Sequence, residues 1–269
     1  MSNVDNVFAG AIPVLYDTHL VPLIFQPYAT DLARRVAADS PGRVLELAAG
    51  TGVVTRALAE TLPKATTIVA TDLNQAMLDR AATVGTARPV EWRTADAHEL
   101  PFPDASFDAV VCQFGVMFFD KVKSFREVRR VLRPGGRFHF NVWGPIADNE
   151  FTAVVVTAVA TLFPADPPRF FERTPHGHFD HAVIRRDLAS SGWLAPASIE
   201  TLELRSRAVS PQIAAVALCQ GTPMRNEIET RDATRLGEAT DLAAAALAKR
   251  FGAGPIDGKI SAEIVAVTA

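Results

Sequence analysis

Cysteine is nearly absent from this 269-residue chain. Cys112 and Cys219 are the only two, too few for a disulfide framework, and no zinc site is suggested. An excess of positive charge is missing too. The 27 Lys and Arg stand against 30 Asp and Glu, for a formal net charge of -3. Neutralising several phosphates takes clustered cations on one face, so a dedicated nucleic-acid binder is not expected. Long apolar runs are lacking as well. The longest, residues 151–163, falls short of the roughly 20 residues that a bilayer span needs. The first residues, Met1-Ser2-Asn3-Val4-Asp5, have neither the basic n-region nor the apolar core of a signal peptide. These absences lead us to expect a soluble, cytoplasmic protein without stable membrane insertion.

What is present excludes disorder: 48% of the residues are hydrophobic and 21% charged. The length fits one large domain, or one domain with a substantial insertion. Pro41-Gly42 punctuates the chain, and from there strands alternate with helices. Strands are expected at 44–47, 67–71, 90–94, 107–112 and 137–142, with helices up to residue 62 and over 75–82 and 122–132. Such alternation implies parallel pairing through right-handed crossovers. Ala109-Val110-Val111-Cys112 is apolar without alternation, as suits a central strand covered on both faces. Residues 199–209 and 259–267 alternate well enough to be two further strands.

The fold expected is α/β, a doubly wound, mostly parallel seven-stranded sheet with its ligand beyond the carboxyl ends of the strands. We divide it into an N-terminal helical flap (1–39), bent at Pro22 and Pro27, a ligand-binding α/β core (40–144), and a region (145–269) of helical cap segments with the last two strands. In the cationic run 121–137, Val122, Phe125, Val128 and Leu132 recur at helical spacing. Its Lys and Arg therefore read as the solvated side of an amphipathic helix.

The turn after the first strand reads Glu46-Leu47-Ala48-Ala49-Gly50-Thr51-Gly52. Glycines there let backbone approach a ligand closely. The dinucleotide pattern G-x-G-x-x-G is incomplete, since Thr55 stands where the third glycine would be, and no G-x-x-x-x-G-K-[ST] loop occurs. An acid at the strand tip, Glu46, suits a cationic ammonium better than a phosphate. Asp72 ends the second strand, where a carboxylate can accept from both hydroxyls of a ribose. Asp96 follows the third, and with the Ala97 amide it could read the amino edge of an adenine. Three successive strand ends each bear an acid.

With these residues in place, the chain resembles the class I S-adenosylmethionine-dependent methyltransferases, and within them is similar to the quinone-biosynthesis C-methyltransferases. The carrying segments are Val44-Leu45-Glu46-Leu47-Ala48-Ala49-Gly50-Thr51-Gly52, Thr71-Asp72-Leu73-Asn74-Gln75-Ala76-Met77-Leu78, the run from Ala95-Asp96-Ala97 to Ser106-Phe107-Asp108, and Arg130-Val131-Leu132-Arg133-Pro134-Gly135-Gly136-Arg137. The resemblance implies a Rossmann-like methyltransferase fold with S-adenosyl-L-methionine as cofactor and no metal. It further implies that Glu46, Gly50 and Gly52 hold the methionine part, Asp72 the ribose, Leu73 and Met77 one adenine face, and Asp96 with Ala97 the adenine edge. Gln113 and Phe114 would lie near the sulfonium and the substrate. One departure stands out: the family's usual first glycine is Ala48 here, which is tolerated at negative φ, so a slightly displaced turn is expected.

Methyl transfer to a small, apolar or aromatic molecule by in-line displacement is the reading that follows. The apolar segments 151–163 and 212–219, with Phe163, Phe170, Phe171 and Phe179, favour such an acceptor, although apolar helices are more often simply core. The alternatives are an NAD(P)-dependent oxidoreductase and a non-catalytic S-adenosylmethionine-binding protein. His139 lies in a strand and reads as a core residue, and His98 as a loop residue. His19, His178 and His181 are the candidates for a base or a substrate-orienting group. Any assembly is expected to be a homodimer.

Overall fold

The computed structural model describes residues 12–269. A helical segment opens it: α1 (Ile12–Leu15), a π-helical stretch (Tyr16–Phe25) and α2 (Gln26–Ala38). Pro22 lies inside the π stretch, where its missing N–H and its ring disfavour an ordinary α-turn. Then follow β1 (Arg43–Glu46), α3 (Val53–Thr61), β2 (Thr67–Asp72), α4 (Gln75–Val84), β3 (Glu91–Thr94), β4 (Phe107–Gln113), α5 (Lys121–Val131) and β5 (Leu132–Trp143). The last third holds α6 (Glu150–Ala160), α7 (Phe170–Arg173), α8 (His181–Ser190), β6 (Ser198–Ala208), α9 (Pro211–Gln220), α10 (Met224–Asp232), α11 (Leu236–Phe251) and β7 (Ile256–Thr268). Among the described residues, no helix is long and apolar enough to cross a membrane.

The seven strands form one open sheet in the order β3-β2-β1-β4-β5-β7-β6, and helices cover both faces. Strands β1 to β5 pair in parallel, with Glu46 opposite both Ala70 and Val111, Asp72 opposite Thr94, and Gln113 opposite Asn141. The order reverses between β1 and β4, which makes the carboxyl ends of these two strands the switch point where ligands bind in such sheets. Amides Gly135 and Gly144 of β5 donate to Ala269 and Ser261 respectively, so β7 runs antiparallel to it. Pro134-Gly135-Gly136, which separates the expected helix 122–132 from the expected strand 137–142, is absorbed into β5 as an irregularity: Phe107 pairs with Leu132 but Ala109 with Arg137.

By contact the chain divides into two units. One comprises Tyr28–Val142, His178–Leu202 and Ala262–Ala269. Its core is aliphatic and aromatic on the strands, with Leu45, Val110, Phe138 and Phe140 fully buried, and Phe125 and Val128 meet them from the inner face of α5. The amphipathic pattern of the cationic run is therefore realised, although Leu132 already belongs to β5. His139 is a buried strand residue whose Nε2 lies 2.6 Å from Asp39 Oδ2. Of the described residues, the other unit takes 12–27, Trp143–Gly177 and Glu203–Ser261. There Phe151 packs edge-on to Phe251 at 5.0 Å, and Phe25 stacks on Tyr16 and meets Trp143 at a tilt. The division falls after Pro27, inside the segment expected as a single flap, so α2 from Tyr28 onward groups with β1 to β5.

Candidate functional site

Four strand tips build the site, all within the Tyr28–Val142 unit. Neighbouring strands lie about 4.8 Å apart, so β3, β2, β1 and β4 present Asp96, Asp72, Glu46 and Gln113 as a row about 15 Å long. Glu46 is 2% exposed. Its carboxylate accepts from Thr55 Oγ1 at 2.6 Å, and its carbonyl from Thr71 Oγ1 at 2.8 Å. Burial pushes its pKa up to about 8; the Asp72 charge adds to this, and the Thr55 bond and the Arg56 charge do not offset it. Asp72, 7% exposed, accepts from the Gly50 and Asn74 amides at 2.8 Å each. Its pKa also stands above the ordinary value because of burial, against those bonds. Two buried acids thus sit on adjacent strands, and burial favours the neutral form of each.

The turn between β1 and α3 is strained in a way the sequence did not show. Ala48 adopts φ 50°, which corrects the expectation of a negative φ. Its neighbours are pinned to two strands: Leu47 N donates to Val111 O and Ala49 N to Thr71 O, both at 2.9 Å. Between these anchors the chain reverses through left-handed geometry, at a cost of about 1–2 kcal/mol for a residue with a Cβ. Gly50 and Gly52 follow at φ 57° and 84°. The Ala48 methyl is accommodated because Gly115 has none: a Cβ on Gly115 would stand 2.6 Å from Ala48 Cβ and 2.7 Å from Cys112 Sγ. Gly115 follows Phe114, itself at φ 53°. The Phe114 amide is held by both Asn141 O and Asn141 Oδ1, at 3.1 and 3.0 Å.

The remaining cofactor candidates fall into place unequally. Leu73 is 56% exposed directly beside Asp72, whereas Met77 is buried on the inner side of α4. Asp96 Oδ1 accepts from His98 N at 2.9 Å and lies 2.7 Å from His98 Nδ1, so His98 is a partner of that tip; its Nε2 accepts from Asp120 N. Ala97 is buried next to Asp96.

Of the three candidate histidines, His178 and His181 belong to the unit of the strand tips. His19 lies in the π-helical stretch of the other unit. His181 opens α8, with Nε2 2.6 Å from Glu263 Oε2, which also accepts from Thr201 Oγ1 at 2.8 Å. His178 is buried with Nε2 unbonded, 3.8 Å from Asp187 Oδ2. Burial, with Lys121 and Arg186 near, lowers its pKa to about 4. Lys121 donates to Met117 O and Phe119 O at 2.9 Å, tying down the loop after β4, and burial lowers its own pKa to about 8.

Thr55, Asn141, Gly115 and Lys121 are neighbours of the candidate site that sequence reasoning did not single out. Thr55, Asn141 and Gly115 meet partners outside their own elements, Glu46, Phe114 and Ala48, whereas Lys121 ties down the loop just before it, and only Gly115, a glycine just past a strand end, left a signal. The donor set suits S-adenosylmethionine, whose ammonium would stabilise the charged form of the buried Glu46 and whose ribose would find the strand-end acid Asp72. The buried Thr51 Oγ1 in the glycine turn has no partner, a polar atom left for a ligand. A dinucleotide pyrophosphate would face repulsion from the same acids.

A family model described as a methyltransferase domain matches residues 45–140. The chain is 42% identical over 125 residues to a demethylmenaquinone methyltransferase of Deinococcus radiodurans, a stretch covering 45% of this chain and 52% of that protein. It is 38% identical over 181 residues to the ubiquinone/menaquinone biosynthesis C-methyltransferase UbiE of Cronobacter sakazakii, covering 60% and 72%. The chain therefore spans about half the length of the first relative and more than two thirds of the second. Among solved structures, the YcgJ protein of a Bacillus species aligns over 90% of this chain and 98% of its own, with TM-score 0.56 at 18% identity, a likeness of fold.

Proposed function

The chain belongs to the class I S-adenosylmethionine-dependent methyltransferases and is similar to their quinone-biosynthesis C-methyltransferases, and on that premise we propose that it methylates a small apolar or aromatic molecule. The observation that carries the proposal is the pair of buried acids, Glu46 and Asp72, on adjacent strand tips with their pKa values raised. When bound, S-adenosylmethionine supplies a methyl group on a sulfonium, an electrophile with a good leaving group. The chain's task is then alignment and exclusion of water. Glu46 would hold the methionine ammonium, Thr51 and the Gly50 and Gly52 backbone its carboxylate side, and Asp72 the ribose hydroxyls. Leu73 would cover the adenine, whose edge Asp96 and Ala97 would read, and Gln113 and Phe114 would flank the methyl group. Calorimetry with S-adenosylhomocysteine should give micromolar-range binding, and none with NAD. Tight NAD binding with no response to the sulfonium cofactor would overturn the reading.

Demethylmenaquinone, the acceptor in the name of one relative, belongs in a mass-spectrometric screen of candidate acceptors. The apolar segments of the last third lend this less support than their sequence suggested, because Phe151, Val155, Phe170 and Phe171 are buried within their own unit. For orienting the acceptor we propose His178, whose neutral imidazole keeps Nε2 free of a hydrogen bond. A pKa near 4 makes it a weak base at neutral pH, since general bases work best near the operating pH. His178→Ala should accordingly raise KM for the acceptor more than it lowers kcat. A kcat loss of about 10² or more at unchanged KM would assign it instead as the base.

A further inference from the structure

The cationic run has a use beyond solubility. Helices α5 and α8 lie side by side: Trp193 Nε1 donates to Phe125 O at 3.1 Å, and Arg126 Nη2 reaches Ser190 O at 3.5 Å. Their outward surface exposes Lys123, Arg126, Arg129, Arg185 and Arg186. Other cations of this segment are neutralised, Arg130 by Glu127 and Asp104, and Arg133 by Asp108. Of the five exposed ones, only Arg186 meets a carboxylate among the described ion pairs, Asp187 at 3.9 Å. Asp120 and Asp180 sit at the N-terminal rim, engaged as helix caps. A chain of net charge -3 thus gathers unneutralised positive charge on one two-helix face. The turn after α8 adds an apolar element. A Cβ on Gly192 would lie 3.7 Å from Arg129 Nη1, and two residues further on Leu194 is 92% exposed, the most open large apolar side chain among the described residues.

We propose that this α5–α8 face docks the protein reversibly on a bilayer surface rich in anionic phospholipid. Long cationic side chains would take the headgroup phosphates while Leu194 enters the acyl boundary. A nucleic-acid backbone would use the cations but not the projecting leucine. Each cation near an anionic membrane contributes about fivefold to binding, so the five together give on the order of a thousandfold, enough for reversible attachment. The inference needs neither cofactor nor acceptor and stands apart from the proposed chemistry.

The test is co-sedimentation of the full chain with vesicles of phosphatidylcholine, alone or with one-third phosphatidylglycerol. Binding is expected only to the anionic vesicles, and it should fade as salt shortens the Debye length. The triple variant R126E/R129E/R185E should lose about a hundredfold or more, with S-adenosylhomocysteine affinity unchanged as the check on its fold. Leu194→Ser should weaken binding several-fold and leave the salt dependence as it was. Equal binding to both vesicle types, wild-type binding by the triple variant, or preference for duplex RNA over the vesicles at matched phosphate would each overturn the proposal.

Discussion

Glu46 and Glu150 stand at the ends of regular elements in the two units of this protein, and their surroundings treat them oppositely. Glu150, opening α6, accepts from the Lys259 amide and from Arg250, each at 2.6 Å, and these bonds hold its pKa below the ordinary value, the Lys259 amide foremost. Glu227 in the same unit is likewise engaged by the Arg169 amide and the Arg173 guanidinium, both at 2.7 Å. Glu46 is driven the other way, up to about 8. An acid whose charge the chain itself balances belongs to the architecture. An acid buried without such balance is a cost to folding that a cationic ligand can relieve, and among the described residues the acids raised by burial, Glu46 and Asp72, both belong to the strand-tip row.

Breaking the row should have the largest effect. Asp72→Ala is expected to weaken S-adenosylhomocysteine binding by about 1.5–3 kcal/mol, the range for hydrogen bonds to a charged group. Wild-type affinity in calorimetry would remove Asp72 from the site. Next comes the interlock of Ala48 and Gly115. Gly115→Ala forces two methyl groups together and should destabilise by about 1–3 kcal/mol, and Ala48→Gly should rescue it. Because glycine takes φ 50° without strain, Ala48→Gly alone should not destabilise. Independent, additive effects of the two changes in denaturant titrations would show that the two loops do not touch.

The contrast between glutamates can be read directly from stability. With a folded-state pKa near 8 against an ordinary 4.5, the stability Glu46 permits is complete below about pH 4.5 and is lost as pH rises towards 8. Glu46→Gln should therefore stabilise the ligand-free protein at pH 7 while weakening cofactor binding. Wild-type cofactor affinity should in turn rise with pH, approaching tenfold per unit below pH 7 and levelling off above 8, as the bound ammonium expels the Glu46 proton. A flat profile would break the assignment of Glu46 to a cation. The smallest effect belongs to Glu150→Gln, a loss of about 1 kcal/mol because the group is partly solvated, with cofactor binding untouched.

Legibility in the sequence follows the same division. The order of strands and helices from Arg43 to Trp143 could be read from apolar runs and turn residues, because each element there is specified by its own residues. The boundaries moved by a few residues, as at Pro134-Gly135-Gly136. The acids at three strand tips were legible for the same reason: a strand's carboxyl end is fixed once the strand is. His178 and His181 were not separable, since both precede or open one helix. Their difference lies in Glu263, which meets His181 from β7 and also accepts from Thr201 of β6, and in Lys121, which stands near His178.

By itself, then, the sequence determined the alternation that forces a parallel, doubly wound sheet, and the placement of Glu46, Asp72 and Asp96 where a cationic adenosine derivative would be bound. Both depend on neighbours within a few residues, whose dihedral preferences and polarity are carried locally. Tertiary structure alone decided the sign of φ at Ala48, set by Val111 and Thr71 gripping the residues on either side while Gly115 leaves room for its methyl. It also decided which buried acids are balanced and which are not, because a charge is compensated by whatever the fold brings within a few ångströms, and those partners come from anywhere in the chain.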